Sequence, residues 1–251
     1  MPVEWLTPDW PAPANVRALS TLRGGGISTG RYASLNLGGH VGDAPEAVAE
    51  NRFRLRAAAG LPAEPAWLAQ VHGVRIADLD ARGSGSPAPG PVAADGSVTR
   101  VAGHLCAILT ADCLPVLVAA ETGDAVAAAH AGWRGLADGV IEAAVRALDV
   151  APASLIVWLG PAIGPTHFEV GPEVREELLR GDPGAAGAFT PNSRGRFMAD
   201  LPGLARRRLE RLGITRIYGG GECTHEHAER YFSHRRDGRT GRQATLVWLA
   251  S

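Results

Sequence analysis

There is no lysine in this chain; all 25 basic residues are arginine. The absence excludes a protein-borne Schiff base and the lysine of a P-loop. It leaves arginine as the side chain able to grip an anion through a bidentate fork. Cysteine is scarce: Cys106, Cys113 and Cys223 form an odd set of three, which speaks against a disulfide framework and for a reducing compartment. Net charge is nearly nil, −1 by formal count, so nothing in it draws the chain to nucleic acid or to an anionic membrane. No apolar run approaches the roughly 18 residues of a membrane span. The opening Met1-Pro2-Val3-Glu4-Trp5 lacks a basic n-region and an apolar h-region, so no secretory signal is expected. The expectation is a cytoplasmic monomer or small homo-oligomer without nucleic-acid or membrane partners.

What is present is an ordinary globular composition, 45% hydrophobic and 20% charged over 251 residues. That length suits one domain spanning 1–251 with a sizeable core. Asp43-Ala44-Pro45-Glu46 reads as a helix start, and the helix should run to a glycine stop at Gly60. Residues 82–91 (RGSGSPAPGP) are turn-formers and read as a flexible surface loop, with a domain linker as the alternative. Apolar runs at 105–109, 116–120 and 125–129 predict three strands. The spacing Val140, Ile141, Ala144, Val145, Leu148 predicts a helix. A strand at 155–159, a helix at 201–212 stopped by Gly213, and strands at 214–218 and 243–249 follow. Strands alternating with helices, plus a hairpin, predict an α/β (α+β) fold with mixed sheets flanked by helices.

One thiol between two histidines carries the chemistry. His72 lies in QVHG, Cys113 in TADCLP and His130 in HAGWRG, each in a turn marked by Gly, Pro or Asp. Two imidazoles and a thiolate are borderline-soft donors that suit zinc, and three protein ligands leave a coordination position open. The same residues also fit a thiol nucleophile with a histidine base, and their spacing is not that of a zinc finger. A free cysteine usually packs as a small hydrophobe, the reading given to Cys106 inside its apolar strand. Cys113 differs, because Asp112 before it and Leu-Pro after it place it at a strand end, where sheet enzymes expose reactive groups. His40, His104, His225 and His227 read as structural or surface residues.

Arginine near glycine gives two candidate anion holders. Arg23 in LRGGG either lets backbone N–H groups approach a phosphate or marks a mobile hairpin turn. Arg134 stands at a strand-to-helix turn whose helix N-terminus favours anions, or else makes a surface salt bridge. GPAIGP at 160–165 is a rigid loop after a strand, of the kind that shapes pockets. Four arginines in the eight residues 235–242 read as a solvated face or as a substrate rim.

Taken together, TLRGGGIS, SLNLGGHVGD with ENR, QVHG, TADCLPV, HAGWRG, GPAIGP with FEVG, and YFSHRRDGRTGR resemble the YfiH-type, laccase-domain purine nucleoside phosphorylases. This family has also been described as multicopper polyphenol oxidases and as peptidoglycan-editing factors. The resemblance spans about residues 20 to 242. It implies a fold with mixed sheets related in topology to deamidating toxins, and one zinc held by His72, Cys113 and His130. It further implies phosphorolysis of adenosine, inosine, guanosine and 5′-methylthioadenosine, and hydrolytic deamination of adenosine. The corresponding site residues are Cys113, His130 and Arg134 for catalysis, with Arg23, Asn36, Gln70, Glu169 and Arg235 contacting substrate. Phe168 stands where a tyrosine is frequent, and His225 and His234 where aromatic residues are common, which bears on substrate contacts. The partners so implied are purine nucleosides and phosphate. One His-Cys-His set cannot hold the several coppers of a laccase, though copper is an alternative occupant of the zinc position. Two rivals stand beside this reading: a metal-free Cys113/His130 thiol amidohydrolase acting on cell-wall precursors, and a non-catalytic metal-binding module.

Overall fold

A computed structural model describes residues 1–81 and 90–250. The loop expected at 82–91 lies outside the described residues except for Gly90 and Pro91. The strands are β1 (Trp5–Leu6), β2 (Val16–Thr21), β3 (Ile76–Asp78), β4 (Gly96–Thr99), β5 (Leu105–Thr110), β6 (Leu114–Ala120), β7 (Val126–Ala131), β8 (Leu155–Leu159), β9 (Glu169–Val170), β10 (Phe189–Pro191), β11 (Phe197–Ala199), β12 (Arg216–Gly219) and β13 (Gln243–Leu249). The α-helices are α1 (Pro45–Ala59), α2 (Trp133–Asp138), α3 (Val140–Leu148), α4 (Pro172–Arg180), α5 (Leu201–Arg211) and α6 (His234–Asp237). A six-stranded mixed sheet runs β12-β8-β6-β7-β4-β3, a four-stranded sheet runs β1-β2-β13-β5, and β10-β11-β9 form a small third sheet.

Period-two alternation within apolar strands builds the layers. Val116, Val118 and Ala120 of β6 face a core completed by Ile141 and Leu148 of α3 and Leu204 and Leu209 of α5. The alternate residues Leu117 and Ala119 face the other way, onto Cys106 and Ile108 of β5 and Val247 and Leu249 of β13. The outward residues of that second sheet, Leu105, Ala107, Leu109 and Leu246, pack against Leu55 of α1 and against Leu35 and Leu37. Helix, sheet, sheet and helix therefore stack in sequence, and the central strands β5, β6, β7, β8 and β13 are buried on both faces.

The predicted elements hold with small shifts. The helix over 45–59 ends on Gly60 in the left-handed region at φ 58°, the conformation glycine adopts without strain. Strand β6 begins at Leu114 rather than 116, because Pro115 needs no N–H there and its carbonyl accepts from Gly160 N at 2.9 Å. A short helix, α2, starts at Trp133 directly after the HAG turn, so the helical register expected from Val140 is preceded by another turn of helix. The 214–218 strand is displaced to Arg216–Gly219. Helix α4 and the three-stranded sheet were not foreseen from the sequence.

The LRGGG segment is neither a mobile hairpin turn nor an open cradle. Arg23 N donates to Arg230 O at 2.8 Å, and Arg23 O accepts from Ser34 N at 2.9 Å and Leu35 N at 2.7 Å. No described helix is long and apolar enough to cross a membrane.

Candidate metal centre

The antiparallel pairing of β6 with β7 matches Leu114 to Ala131 and Pro115 to His130. It therefore brings Cys113, just before β6, beside Gly132, just after β7. His72 arrives from the turn preceding β3, the strand at the far edge of the same sheet. The donor atoms of His72, Cys113 and His130 lie within 4.8 Å of one another, with Cys113 Sγ 3.8 Å from His72 Nε2. The two imidazole rings sit edge to face, 4.8 Å between centroids. Tetrahedral zinc with Zn–S near 2.3 Å and Zn–N near 2.05 Å separates sulfur from nitrogen by about 3.6 Å, so the observed spacing fits such an ion. Gly132 lies against this position. A Cβ there would stand 2.9 Å from His72 Cδ2 and 3.0 Å from Cys113 Sγ, too close for either side chain to keep its place.

Asp95, which the sequence reading passed over, holds both histidines. Its carboxylate is fully buried and accepts from the backbone N–H groups of Val71 (3.1 Å), His72 (2.8 Å) and Gly73 (2.7 Å). These three donors fix the turn on which His72 sits at φ 62°, a conformation that costs a non-glycine residue free energy unless its surroundings impose it. The same carboxylate accepts from His130 Nδ1 at 2.9 Å, and Asp95 O accepts from His130 N at 2.7 Å. Binding Nδ1–H to a carboxylate leaves Nε2 as the free donor atom and raises its basicity. Burial pushes the Asp95 carboxyl up, but the bonds from His130 and the turn N–H groups outweigh it and hold the group below the ordinary aspartate value.

Cys113 is fixed from its other side. Asp112 has φ 93°, and its carboxylate accepts from Thr224 Oγ1 at 2.7 Å and from Arg235 N at 2.6 Å. Without a metal, burial pushes the Cys113 thiol up, yet the His130 imidazolium beside it outweighs burial and lowers it. His130 is raised in return, against the effect of burial, by the thiolate and by Asp95. The pair thus favours thiolate and imidazolium, either of which can be exchanged for a metal bond.

These residues open onto a cavity of about 290 Å³ whose walls also carry His40, Gln70, Arg134, His234 and Arg242. Arg134 stacks over Trp133 at 4.3 Å and enters no ion pair among the described residues. Arg242, one of the four arginines of the 235–242 run, lines the cavity and donates Nη1 to Thr240 O and Gly241 O. Gln70 lines the cavity but commits both ends of its amide to Leu109, Nε2 to the carbonyl and Oε1 from the N–H, each at 2.8 Å. His40, expected to be structural, faces this cavity, and burial first and Arg242 second hold it below the ordinary histidine value.

The other expected contacts are not part of this wall. Arg23 donates Nε to Ala33 O and Nη1 to Ala228 O and lies over Phe232. Asn36 is buried, and its Oδ1 accepts from Gly38 N and from Arg242 N, so it acts on the cavity only through Arg242. Glu169 is bound by Asn192, Arg194 and Arg196. Arg235 reaches Glu169 O and stacks on Phe168. Each spends its polar atoms on neighbouring loops. Asp95 and Gly132 carried weak signals: an acidic residue directly before a strand, and a glycine two positions after a ligand histidine.

Comparison with known proteins places this geometry among relatives. The sequence matches the family described as multi-copper polyphenol oxidoreductase laccase over residues 17–250. It is 53% identical over 247 residues to a purine nucleoside phosphorylase of Pseudomonas aeruginosa, covering 98% of each chain. It is 48% identical over 244 residues to the purine nucleoside phosphorylase YfiH of Escherichia coli, covering 97% of this chain and 98% of that one. Among solved structures, a Neisseria meningitidis protein superposes with a TM-score of 0.92 at 48% identity, covering 98% of this chain and 99% of that one. YlmD from Geobacillus stearothermophilus superposes with a TM-score of 0.91 at 34% identity, covering 98% and 96%.

Proposed function

We propose, from the premise that this chain belongs to the multi-copper polyphenol oxidoreductase laccase family, that it is a zinc-dependent purine nucleoside phosphorylase with adenosine deaminase activity. Adenosine, inosine, guanosine and 5′-methylthioadenosine are its substrates in this reading. The observation that carries it is one cavity whose wall brings together the three donors His72, Cys113 and His130 and two arginines, Arg134 and Arg242. The Pseudomonas and Escherichia relatives are named purine nucleoside phosphorylases, which supports the phosphorylase part of this reading.

His72, Cys113 and His130 would hold the zinc, with Asp95 aiming His130 Nε2 and Gly132 leaving the space. Bound there, zinc supplies Lewis acidity at its open position, the chemistry that hydrolytic deamination needs. Arg134 and Arg242 supply planar N–H forks suited to a phosphate and to the charge that builds as it attacks the sugar. In phosphorolysis a phosphate oxygen bonds to C1′ while the glycosidic C–N bond breaks, and the departing purine takes a proton. The polar wall around these residues would orient the nucleoside.

Adenosine incubated with the zinc-loaded protein should give inosine in phosphate-free buffer, and adenine with ribose 1-phosphate only when phosphate is added. Both products should vanish on zinc removal and return on reconstitution. Phosphorolysis that survives complete zinc removal would sink the shared-site reading, and no base release from any of the four nucleosides would sink the phosphorylase reading. Loss of one charge-assisted contact is worth ~1.5–3 kcal/mol, so Arg134→Ala should raise the phosphate requirement about ten- to a hundredfold. One observation favours a second reading: the donor atoms of Cys113 and His130 lie within 4.8 Å of each other, a thiol beside an imidazole that suits a thiol amidohydrolase, and amide hydrolysis by stripped protein would support it.

A further inference from the structure

A second cluster of metal-type donors lies outside the cavity. His167 follows the GPAIGP loop, and Cys223 and Glu226 lie in the segment after β12; their donor atoms also fall within 4.8 Å of one another. Cys223 Sγ stands 3.7 Å from His167 Nδ1, against about 3.6 Å for sulfur and nitrogen on one tetrahedral zinc. Neither the phosphorylase reading nor the known relatives' names assign these residues anything.

Several features suit this cluster to a metal ion. Cys223 is buried at a bridge that pairs it with Ala162, and its sulfur accepts the backbone N–H of Gly164 at 3.2 Å, a bond that stabilises thiolate charge. Thr166 Oγ1 lies 2.9 Å from His167 Nδ1, an exposed hydroxyl that a metal ion bound at Nδ1 would displace. His225 stacks on His167 at 4.3 Å between centroids and 22° between planes, which fixes the ring. Glu226 is exposed, and among the described residues its carboxylate enters no ion pair, although the chain holds 25 arginines. A thiolate and a carboxylate together offset the charge of a divalent cation, and the S, N, O donor set suits zinc or cobalt rather than calcium or magnesium. The polypeptide here is held by Arg236 Nη1, which donates to Thr224 O and His225 O at 2.9 Å each.

The place of the cluster gives it a consequence. Thr224, the residue after Cys223, donates to the carboxylate of Asp112, the residue before Cys113. Ile163 N, from the loop before His167, donates to Asp112 O at 2.9 Å. Both ends of the second cluster therefore grip the turn whose φ of 93° presents the cavity thiol.

We propose that His167, Cys223 and Glu226 form a second, three-donor divalent-metal site of zinc type that braces the Cys113 turn from behind. It does not depend on the activity proposed above. The test uses the full chain carrying Cys113→Ala, which removes the thiolate of the first site, titrated with cobalt(II) alone. Thiolate bound to cobalt gives a near-ultraviolet charge-transfer band that histidine and carboxylate ligands do not. A band saturating at one equivalent is expected in C113A. It should be lost in C113A/H167Q and displaced to higher cobalt concentration in C113A/E226Q, whose altered side chain is exposed and leaves folding intact. Wild-type protein should bind two equivalents of zinc and C113A one. No thiolate band in C113A overturns the proposal, as does a band that both second substitutions leave unchanged.

Discussion

Replacing Asp95 by asparagine tests how far one buried carboxylate organises the first metal centre. Four N–H donors converge on its two oxygens: His72 N and His130 Nδ1 on Oδ1, Val71 N and Gly73 N on Oδ2. An amide keeps one oxygen and puts an NH2 group where the other was, so two of the four donors face another donor. A hydrogen bond to a charged group contributes ~1.5–3 kcal/mol, so losing two predicts about 3–6 kcal/mol of destabilisation in the metal-free protein. Loss of the carboxylate behind a ligating histidine should weaken zinc about ten- to a hundredfold. Urea unfolding in chelator measures the first quantity, and competition against a chromogenic chelator the second. The effect also carries a pH signature. The folded Asp95 carboxyl sits below its unfolded value of about 3.9, so its contribution is complete above that pH and lost as pH falls through the folded value. The stability gap between wild type and D95N should therefore close in acid. If D95N matched wild type in both zinc affinity and metal-free stability at neutral pH, Asp95 would not be the organising group.

Three further outcomes follow from the packing. Gly132→Ala keeps a backbone that alanine accepts, φ −66° and ψ 161°, so it should fold with a near wild-type melting temperature yet lose zinc affinity; retained affinity would mean the ligands can move aside. In chelator-treated protein at neutral pH, iodoacetamide should alkylate Cys113 ahead of Cys106, whose buried thiol is pushed up to about 12, and zinc should protect Cys113; peptide mapping reads the order. Leu117→Ala, at a fully buried position between the two sheets, should cost about 2–5 kcal/mol in urea unfolding without altering zinc affinity, and a loss below 1 kcal/mol would mean the sheets do not interlock there.

The central strands, helix α3 and the stop at Gly60 were legible because apolar periodicity and glycine punctuation are local signals. The same is true of the turns that carry His72, Cys113 and His130, where Asp-Cys-Leu-Pro and His-Ala-Gly mark strand ends. Helix α4 was missed because its buried apolar residues, Val174 and Leu178, are few and set among charges. Asp95 could not be told from a turn former, since its role depends on contacts 22 to 35 positions away in the chain. Arg23, Asn36, Glu169 and Arg235 sit in recognisable motifs, yet the structure spends their polar groups on loop carbonyls and neighbouring side chains. A motif marks where a residue is needed without saying what it touches. Arg242 belongs to an arginine run readable as a substrate rim, whereas His40 reaches the cavity through folding of a distant segment, and no local pattern announces that.

Strands β5 and β6 are consecutive but belong to different sheets, and only Ala111, Asp112 and Cys113 separate them. The thiol therefore rides on the strap between two stacked layers, while His130 is anchored within one of them. Any shear of one layer over the other would drag sulfur away from nitrogen, and a misfit of even 1 Å at a reacting centre can cost about a hundredfold in rate. An ion clasped by both would act as a rivet through the stack, resisting that sliding mode far from the ligands themselves. The alignment of the layers is in that sense a working part of the cavity, and the dense apolar filling between Leu117 and Ile108 serves the chemistry as a mechanical mount.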